Sequence, residues 1–200
     1  MFIAIEGIDG AGKTTLRRVL AERLSRRHPV HLVGQNSWLS VPVARAISGV
    51  KFARASLHSA ADVDEYRTDK LLHYRLNIEP ALPYGSVIAD RYVLSDLVYR
   101  SVLEGRDTDV LVDALLGGAL PLPSLTLYLD IAPELAWQRI LSRAKPLRPY
   151  ETEENLKTLV AAFHRLGPQL SGFRPIPVTE NTTPEDLATR AEELVSELVA

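Results

Sequence analysis

The 200-residue chain has no cysteine, which excludes disulfide bonds, a thiolate nucleophile and a zinc ribbon. Its five histidines do not show the HExxH spacing of a zinc protease. The net charge of -2 provides no basic surplus for phosphate contacts along a polymer. We therefore expect no nucleic-acid partner, and the basic residues must matter by position.

Long hydrophobic runs are also missing. No apolar segment is long enough to cross a bilayer, and Met1 leads into a short apolar run at residues 2–6 without a cleavable signal. We therefore expect a cytoplasmic protein with no membrane partner. The hydrophobic content of 46% suits a substantial core, and no repeat or linker divides the chain, so residues 1–200 are predicted to form one domain.

Residues 7–15 read Gly-Ile-Asp-Gly-Ala-Gly-Lys-Thr-Thr and match the pattern GxxxxGK[ST]. An apolar run precedes this motif and helical periodicity follows from Leu16 to Arg27, which is the strand, loop and helix order of a phosphate-binding loop. The plain alternative is a glycine turn before an ordinary helix, but chance matches to the whole motif are rare. The motif predicts a nucleoside triphosphate site formed by Gly7, Asp9, Gly10, Ala11, Gly12, Lys13, Thr14 and Thr15.

Each polar group of the site has an expected role. Lys13 should reach the β- and γ-phosphates, and the Thr14 hydroxyl should bind Mg²⁺. Asp90 ends an apolar run, and the carboxyl ends of parallel strands lie beside such a loop, so Asp90 is the second predicted magnesium group. Asp130 also ends a predicted strand, but we prefer Asp90 because Arg91 follows it.

Two more charged residues belong to the predicted centre. The Arg91 guanidinium can hold a phosphate through two hydrogen bonds, although a local ion pair with Asp90 is the plain alternative. Asp9 lies inside the phosphate loop, where a carboxylate would face the acceptor or a metal-bound water. Simple solvation of the loop is its alternative reading.

A basic segment follows a predicted helix that begins at Pro133. Arg139 and Arg143 are four residues apart and are expected on one helical face, while Lys145 and Arg148 lie in a stretch interrupted by prolines. These residues predict a lid over about residues 139–151 that closes on phosphates. The alternative is a solvated basic face.

Apolar runs alternate with helical patterns along the chain, which predicts an α/β fold with a parallel sheet flanked by helices. We expect a short helix at 43–47 stopped by Gly49. A longer helix capped by Asp62 or Asp64 should run through Tyr66 toward Pro80. The predicted strands are 2–6, 30–34, 86–90, 125–130 and 175–179.

The order of these features resembles the thymidylate kinase family of nucleoside monophosphate kinases. The resemblance rests on residues 5–15, on Asp-Arg-Tyr-Val-Leu-Ser-Asp-Leu-Val-Tyr at 90–99, on Leu-Asp at 129–130, and on the segment from Arg139 to Glu151. It implies a P-loop kinase three-layer sandwich with a five-stranded parallel sheet. It also implies a homodimer that uses ATP and Mg²⁺ to phosphorylate a deoxynucleoside 5'-monophosphate such as dTMP.

The resemblance also assigns residues. The phosphate loop has no arginine between Ile8 and Ala11, so the lid must supply the catalytic arginine, and we favour Arg143 and Arg148. Arg139 would contact the donor nucleotide. On the acceptor side, Tyr66 would stack on the base, Arg91 would hold the phosphate, and Tyr99 would lie near the sugar. Without the resemblance, Tyr66 and Tyr99 read equally well as core aromatics.

The acceptor side departs from the family pattern. Lys70 replaces an arginine that contacts the base, Asp96 replaces a residue that touches the base edge, and Arg100 replaces a glutamine. The expected Glu-Pro-Gly is absent, and Gln-Asn-Ser-Trp stands at 35–38. Because a carboxylate only accepts hydrogen bonds, these changes suggest altered base specificity, with Asp96 reading an exocyclic amine such as that of cytosine.

Two other functions remain open from the sequence. One is a kinase of the same fold that acts on a nucleoside or another small metabolite. The other is a switch or binding module that hydrolyses ATP slowly, although such a module does not need a second group that binds a phosphate.

Overall fold

Apolar segments of four to seven residues form the sheet of the computed structural model, which describes residues 1–51, 63–118 and 120–198. In the described residues, all strands pair in parallel in one five-stranded sheet. The strands are β1 (Phe2–Glu6), β2 (Val30–Val33), β3 (Ser86–Asp90), β4 (Leu125–Ile131) and β5 (Phe173–Val178), and their order across the sheet is β2-β3-β1-β4-β5. The predicted α/β fold is thus confirmed.

Helices flank this sheet and connect its strands. They are α1 (Lys13–Ser25), α2 (Val41–Lys51), α3 (Val63–His73), α4 (Val93–Leu103), α5 (Thr108–Leu116), α6 (Pro133–Ser142), α7 (Glu153–Leu166) and α8 (Pro184–Glu197). Along the part of the chain that the structure describes, no helix is both long enough and apolar enough to cross a membrane.

Two helix predictions were wrong in their boundaries. Gly49 does not stop α2, because its backbone stays helical and an isolated glycine costs a helix only about 1 kcal/mol relative to alanine. The helix toward Pro80 is not continuous, since a π-helical turn, Tyr74–Ile78, and a 3₁₀ turn, Glu79–Ala81, follow α3. Proline lacks an N–H and its ring displaces the preceding turn, which accounts for the rewinding. Asp62, one of the two residues proposed to cap this helix, lies outside the described residues.

The sheet register determines where the phosphate loop lies. β1 is buried along its whole length between β3 and β4. Ile5 lies opposite Asp90 on β3, and Glu6 lies opposite Tyr128 on β4. The loop after β1 therefore begins between the carboxyl ends of two strands, which is where open parallel sheets bind ligands.

Candidate active site

The phosphate loop depends on glycine geometry. Gly7, Gly10 and Gly12 have φ values of 139°, 85° and 98°, which side chains with a Cβ rarely adopt. A Cβ on Gly10 would also lie 2.5 Å from the carbonyl oxygen of Ala136 on α6. The turn therefore needs glycine for its conformation and, at Gly10, for close contact with a neighbouring helix.

Lys13 is the first residue of α1 and is 8% exposed. Its Nζ donates to the carbonyl oxygen of Ile8 at 2.8 Å, so the side chain folds back along the loop. Burial and the nearby Arg91 charge lower the pKa of Lys13 to about 7, although Asp9 and Asp90 act in the opposite direction. A bound anion would supply the missing countercharge and favour the ammonium form.

Arg91 and Asp9 meet at the end of β3. The Arg91 guanidinium donates to Asp9 Oδ1, to the Ser95 hydroxyl and to the Tyr99 hydroxyl, each at 2.9 Å. Burial opposes the Asp9 charge, but Arg91, Lys13 and Arg148 together lower the pKa of Asp9 below its ordinary range. The two residues therefore form a charged pair beside the phosphate loop.

The backbone of Arg91 is also unusual. Its φ of 70° lies in the left-handed region, which costs a non-glycine residue about 1–3 kcal/mol and persists where surrounding contacts impose it. The three hydrogen bonds to Asp9, Ser95 and Tyr99 are such contacts. They hold the guanidinium at the sheet edge instead of leaving it in solvent.

Glu6 was not predicted as a site residue. Its buried carboxylate accepts from the backbone N–H of Tyr92 at 2.8 Å and of Ser95 at 3.3 Å, and from the Ser95 hydroxyl. It thereby caps the first turn of α4, for which Tyr92 provides no side-chain cap. Burial raises the pKa of Glu6 to about 7, although Ser95 and Arg91 partly oppose the shift. Glu6 couples the strand before the phosphate loop to the helix after Arg91.

Part of the predicted lid reaches this centre. The Arg148 guanidinium lies 3.6 Å from Asp9 and donates to the Tyr150 hydroxyl at 2.7 Å, and that hydroxyl donates to Asp9 at 3.2 Å. The Tyr150 ring stands edge-on to Tyr99, with centroids 6.0 Å apart. Tyr150 was missed by the sequence reasoning, because a lone tyrosine in a loop carries no pattern.

Arg143 points elsewhere, so the expected shared face with Arg139 was wrong. Helix α6 ends at Ser142, and Arg143 has an extended backbone with ψ of 143°. Its guanidinium pairs with the fully buried Glu151 carboxylate, which also accepts from the Arg148 backbone N–H at 2.7 Å. This pairing turns Arg143 inward and braces the segment that carries Arg148.

The Arg139 side chain reaches the residue that follows β5. It donates to the Thr179 carbonyl oxygen at 3.2 Å, at the rim of a groove of about 320 Å³ that is also lined by Asn181 and Leu187. Leu187 is the neighbour that a Cβ on Gly12 would meet, at 3.9 Å. The groove therefore adjoins the start of α1.

The predicted magnesium groups supply oxygen donors, which suit that ion. Thr14 is exposed at the N-terminus of α1, and Asp90 ends β3 close enough to Lys13 to oppose the lowering of the Lys13 pKa. Asp90 also lies 3.5 Å from Arg17. Asp130, the alternative, accepts from the His164 ring on α7 at 2.8 Å, so each of the two carboxylates has a basic neighbour and the choice of Asp90 stays a prediction.

The residues that depart from the family pattern on the acceptor side contact one another. Lys70 lies 2.9 Å from Asp96, with 0% and 4% of the two side chains exposed. Gln35 donates to the other Asp96 oxygen at 2.8 Å. These contacts disfavour direct reading of an exocyclic amine by Asp96. Tyr66 is buried as well, with the Arg100 guanidinium against its ring face, so that face is not free for a base.

Comparison of the sequence with known proteins assigns the chain to a family. The family model for thymidylate kinase matches residues 5–169. The chain is 33% identical to a thymidylate kinase of Xylella fastidiosa over 204 residues, covering 100% of this chain and 92% of the relative. It is 33% identical to a probable thymidylate kinase of Archaeoglobus fulgidus over 165 residues, covering 82% and 80%. The chain therefore belongs to the thymidylate kinase family.

Proposed function

We propose that the protein transfers the γ-phosphoryl group of ATP to thymidine 5'-monophosphate. The observation that carries the proposal is the position of Arg91, which Asp9 holds beside the Lys13 loop. A triphosphate loop with a second buried guanidinium next to it suits two phosphate groups in line. The names of the relatives support thymidylate as the acceptor.

The residues divide the work between donor and acceptor. Residues 7–15 would cradle the donor phosphates, Thr14 and Asp90 would hold Mg²⁺, which neutralises phosphate charge, and Arg139 would line the donor groove. Arg91 would bind the acceptor phosphate, with Tyr99 beside the sugar. A monophosphate oxygen is already ionised near neutral pH, so the reaction needs positioning and charge stabilisation more than a general base.

The segment from Arg143 to Glu151 would act as a lid. Arg148 already contacts Asp9, so a small movement brings it to the transferred group, where it would stabilise the charge that develops. Arg143 would hold the lid through Glu151. We further propose that the enzyme is a homodimer, as the resemblance to the family implies, and that it acts in the cytoplasm.

The test is ATP-dependent phosphorylation of a panel that contains dTMP, dUMP, dCMP, dGMP, dAMP and thymidine. We expect dTMP to be converted to dTDP with one ADP formed per product. Phosphorylation of thymidine alone would instead identify a nucleoside kinase, and ATP hydrolysis without a phosphorylated acceptor would identify a switch. Preference for dCMP would restore the altered-specificity hypothesis.

A variant tests the donor loop. Lys13→Ala should lower kcat/KM for dTMP on the order of 10³-fold, because the β- and γ-phosphates lose their buried cation. The matched control is Lys157→Ala, since Lys157 is 53% exposed and pairs only with surface carboxylates in the described structure. Equal turnover by both variants would contradict the assignment of Lys13.

A further inference from the structure

One face of α3 holds the loop after β2. The His73 ring bonds to the Gly34 carbonyl oxygen at 2.8 Å, and Lys70 donates to the Gln35 carbonyl oxygen and to Asn36 Oδ1. Asp69 accepts from the backbone N–H and the hydroxyl of Ser37. Four consecutive loop residues, 34–37, are thus held by three side chains, Asp69, Lys70 and His73, which we call the clamp.

The charged groups of this region are buried against one another. Lys70 donates to Gln35 O and to Asn36 Oδ1, and its ammonium lies 2.9 Å from Asp96 Oδ2 as an ion pair. Asp96 is 3% exposed; its Oδ1 accepts from Gln35, and its Oδ2, which has no hydrogen bond among the described residues, is enclosed beside the Lys70 ammonium. Lys70 and Asp96 therefore stand where the base would be read but do not reach it.

Gln35 does retain free groups. A carboxylate only accepts, so the Gln35 atom 2.8 Å from Asp96 Oδ1 is Nε2, and this contact sets the orientation of the carboxamide. One N–H of the amide is used, while Oε1 and the second N–H have no hydrogen-bond partner among the described residues. The side chain is only partly buried, so a ligand can reach it.

The sheet places Gln35 on the acceptor side. Val33 of β2 lies opposite Ala89 of β3, so the loop that carries Gln35 leaves β2 at the same carboxyl edge of the sheet at which β3 leads into Arg91. Asp96, which orients Gln35, lies on α4 as do the Ser95 and Tyr99 partners of Arg91. A nucleotide whose phosphate is held by Arg91 would have its base near this loop.

We propose that Gln35 reads the acceptor base, and that Lys70 and Asp96 are positioning residues that fix its carboxamide. An amide oxygen beside an N–H matches a base edge with an adjacent donor and acceptor, such as N3–H and O4 of thymine. Lys70 and Asp96 would thus act on the base indirectly, through Gln35, and would not contact it themselves. This inference rests on the proposed phosphorylation of a nucleoside monophosphate.

The decisive variant is Gln35→Met, which keeps the length of the side chain and removes its hydrogen bonds. We expect kcat/KM for dTMP to fall about tenfold to a hundredfold, mainly through KM. The KM for ATP should stay at its wild-type value, and the preference for dTMP over dCMP should narrow. The melting temperature should fall slightly, because the buried Asp96 carboxylate loses one hydrogen bond. Gln169→Met, at an exposed position, is the matched control.

A second variant tests whether Gln35 forms hydrogen bonds with the base or merely lines the pocket. Gln35→Glu cannot donate to Asp96 and places two carboxylates together, so it should raise KM for dTMP more than Gln35→Met does. Because this repulsion acts whether or not residue 35 contacts the base, the ratio between bases decides: a residue that merely lines the pocket would change KM for dTMP and dCMP alike, whereas a residue that reads the base changes their ratio. Wild-type kinetics and ratios in Gln35→Met, or equal losses for ATP and dTMP, would overturn the inference while leaving the proposed function intact. A wild-type enzyme that phosphorylates no monophosphate would overturn both.

Discussion

The proposed donor loop at 7–15 and the proposed acceptor loop at 34–37 lie at the same edge of the sheet but are built in different ways. Backbone conformation shapes the donor loop, whose Lys13 bonds to a carbonyl only five residues away. The acceptor loop is shaped by distant side chains, because Gln35 bonds to Lys70 across 35 positions and to Asp96 across 61. Under the proposed function, local geometry would bind a phosphate that every nucleotide shares, whereas long-range contacts would distinguish one acceptor from another.

The difference also concerns how each loop tolerates change. A backbone cradle loses its function when a single glycine is altered, since no other residue adopts its dihedral angles cheaply. A side-chain network can exchange one set of partners for another if the members change together. Lys70, Asp96, Gln35 and Asn36, all of which depart from the expected family pattern, contact one another in such a network.

The largest expected effect comes from a pair of glycine variants. Gly10→Ala should destabilise the fold by about 2–6 kcal/mol, because the left-handed backbone and the clash with Ala136 add together. Gly34→Ala should be nearly neutral, since a Cβ there meets nothing within 4 Å. Urea denaturation of both variants measures the difference. Equal losses would show that the two loops do not differ in this way.

Breaking the buried pair on the acceptor side should have the next largest effect. Lys70→Met leaves Asp96 buried without its cation and should cost about 3–5 kcal/mol of unfolding free energy. The double variant Lys70→Met/Asp96→Leu removes both charges and should recover most of that stability, yet it should still bind dTMP weakly because Gln35 loses its anchor. A double variant as unstable as the single one would contradict the pairing.

Two lid arginines separate catalysis from support. Arg148→Ala should lower kcat about 10²-fold to 10³-fold with little change in melting temperature, because Arg148 is partly exposed and faces Asp9. Arg143→Ala should instead lower the melting temperature, since the buried Glu151 loses its cation. Steady-state kinetics with thermal melts of both variants test this division. The reverse pattern would make Arg143 the catalytic group.

The smallest expected effect is a pH dependence at Glu6. Its folded pKa of about 7 exceeds the ordinary 4.5, so its contribution to stability is full below pH 4.5 and is lost as pH rises through 7. Glu6→Gln should therefore gain up to about 3 kcal/mol relative to wild type between pH 4.5 and 8. Urea denaturation at pH 5 and pH 8 measures this gain. A constant difference between the two proteins would refute the raised pKa.

Much of the architecture was predictable from local patterns. Each predicted strand appears within about two residues of its expected bounds, because a short apolar run by itself indicates a buried strand. Helix ends were less predictable: α6 stops at Ser142 although its pattern continues, and Arg143 turns toward Glu151. A partner eight residues further on, in an irregular loop, leaves no periodic signal.

The sequence by itself determined the proposed donor loop, since Gly7 to Thr15 contain both the chemistry and the backbone freedom that a phosphate cradle needs. It also indicated Asp9, Arg91 and Arg148, which the structure brings together. Only the tertiary structure decided the hydrogen-bond partners of Glu6, Tyr150 and Gln35 and paired Lys70 with Asp96. The physical reason is that dihedral preferences act between neighbours, whereas a buried polar group must find its partner wherever folding brings one within 3 Å.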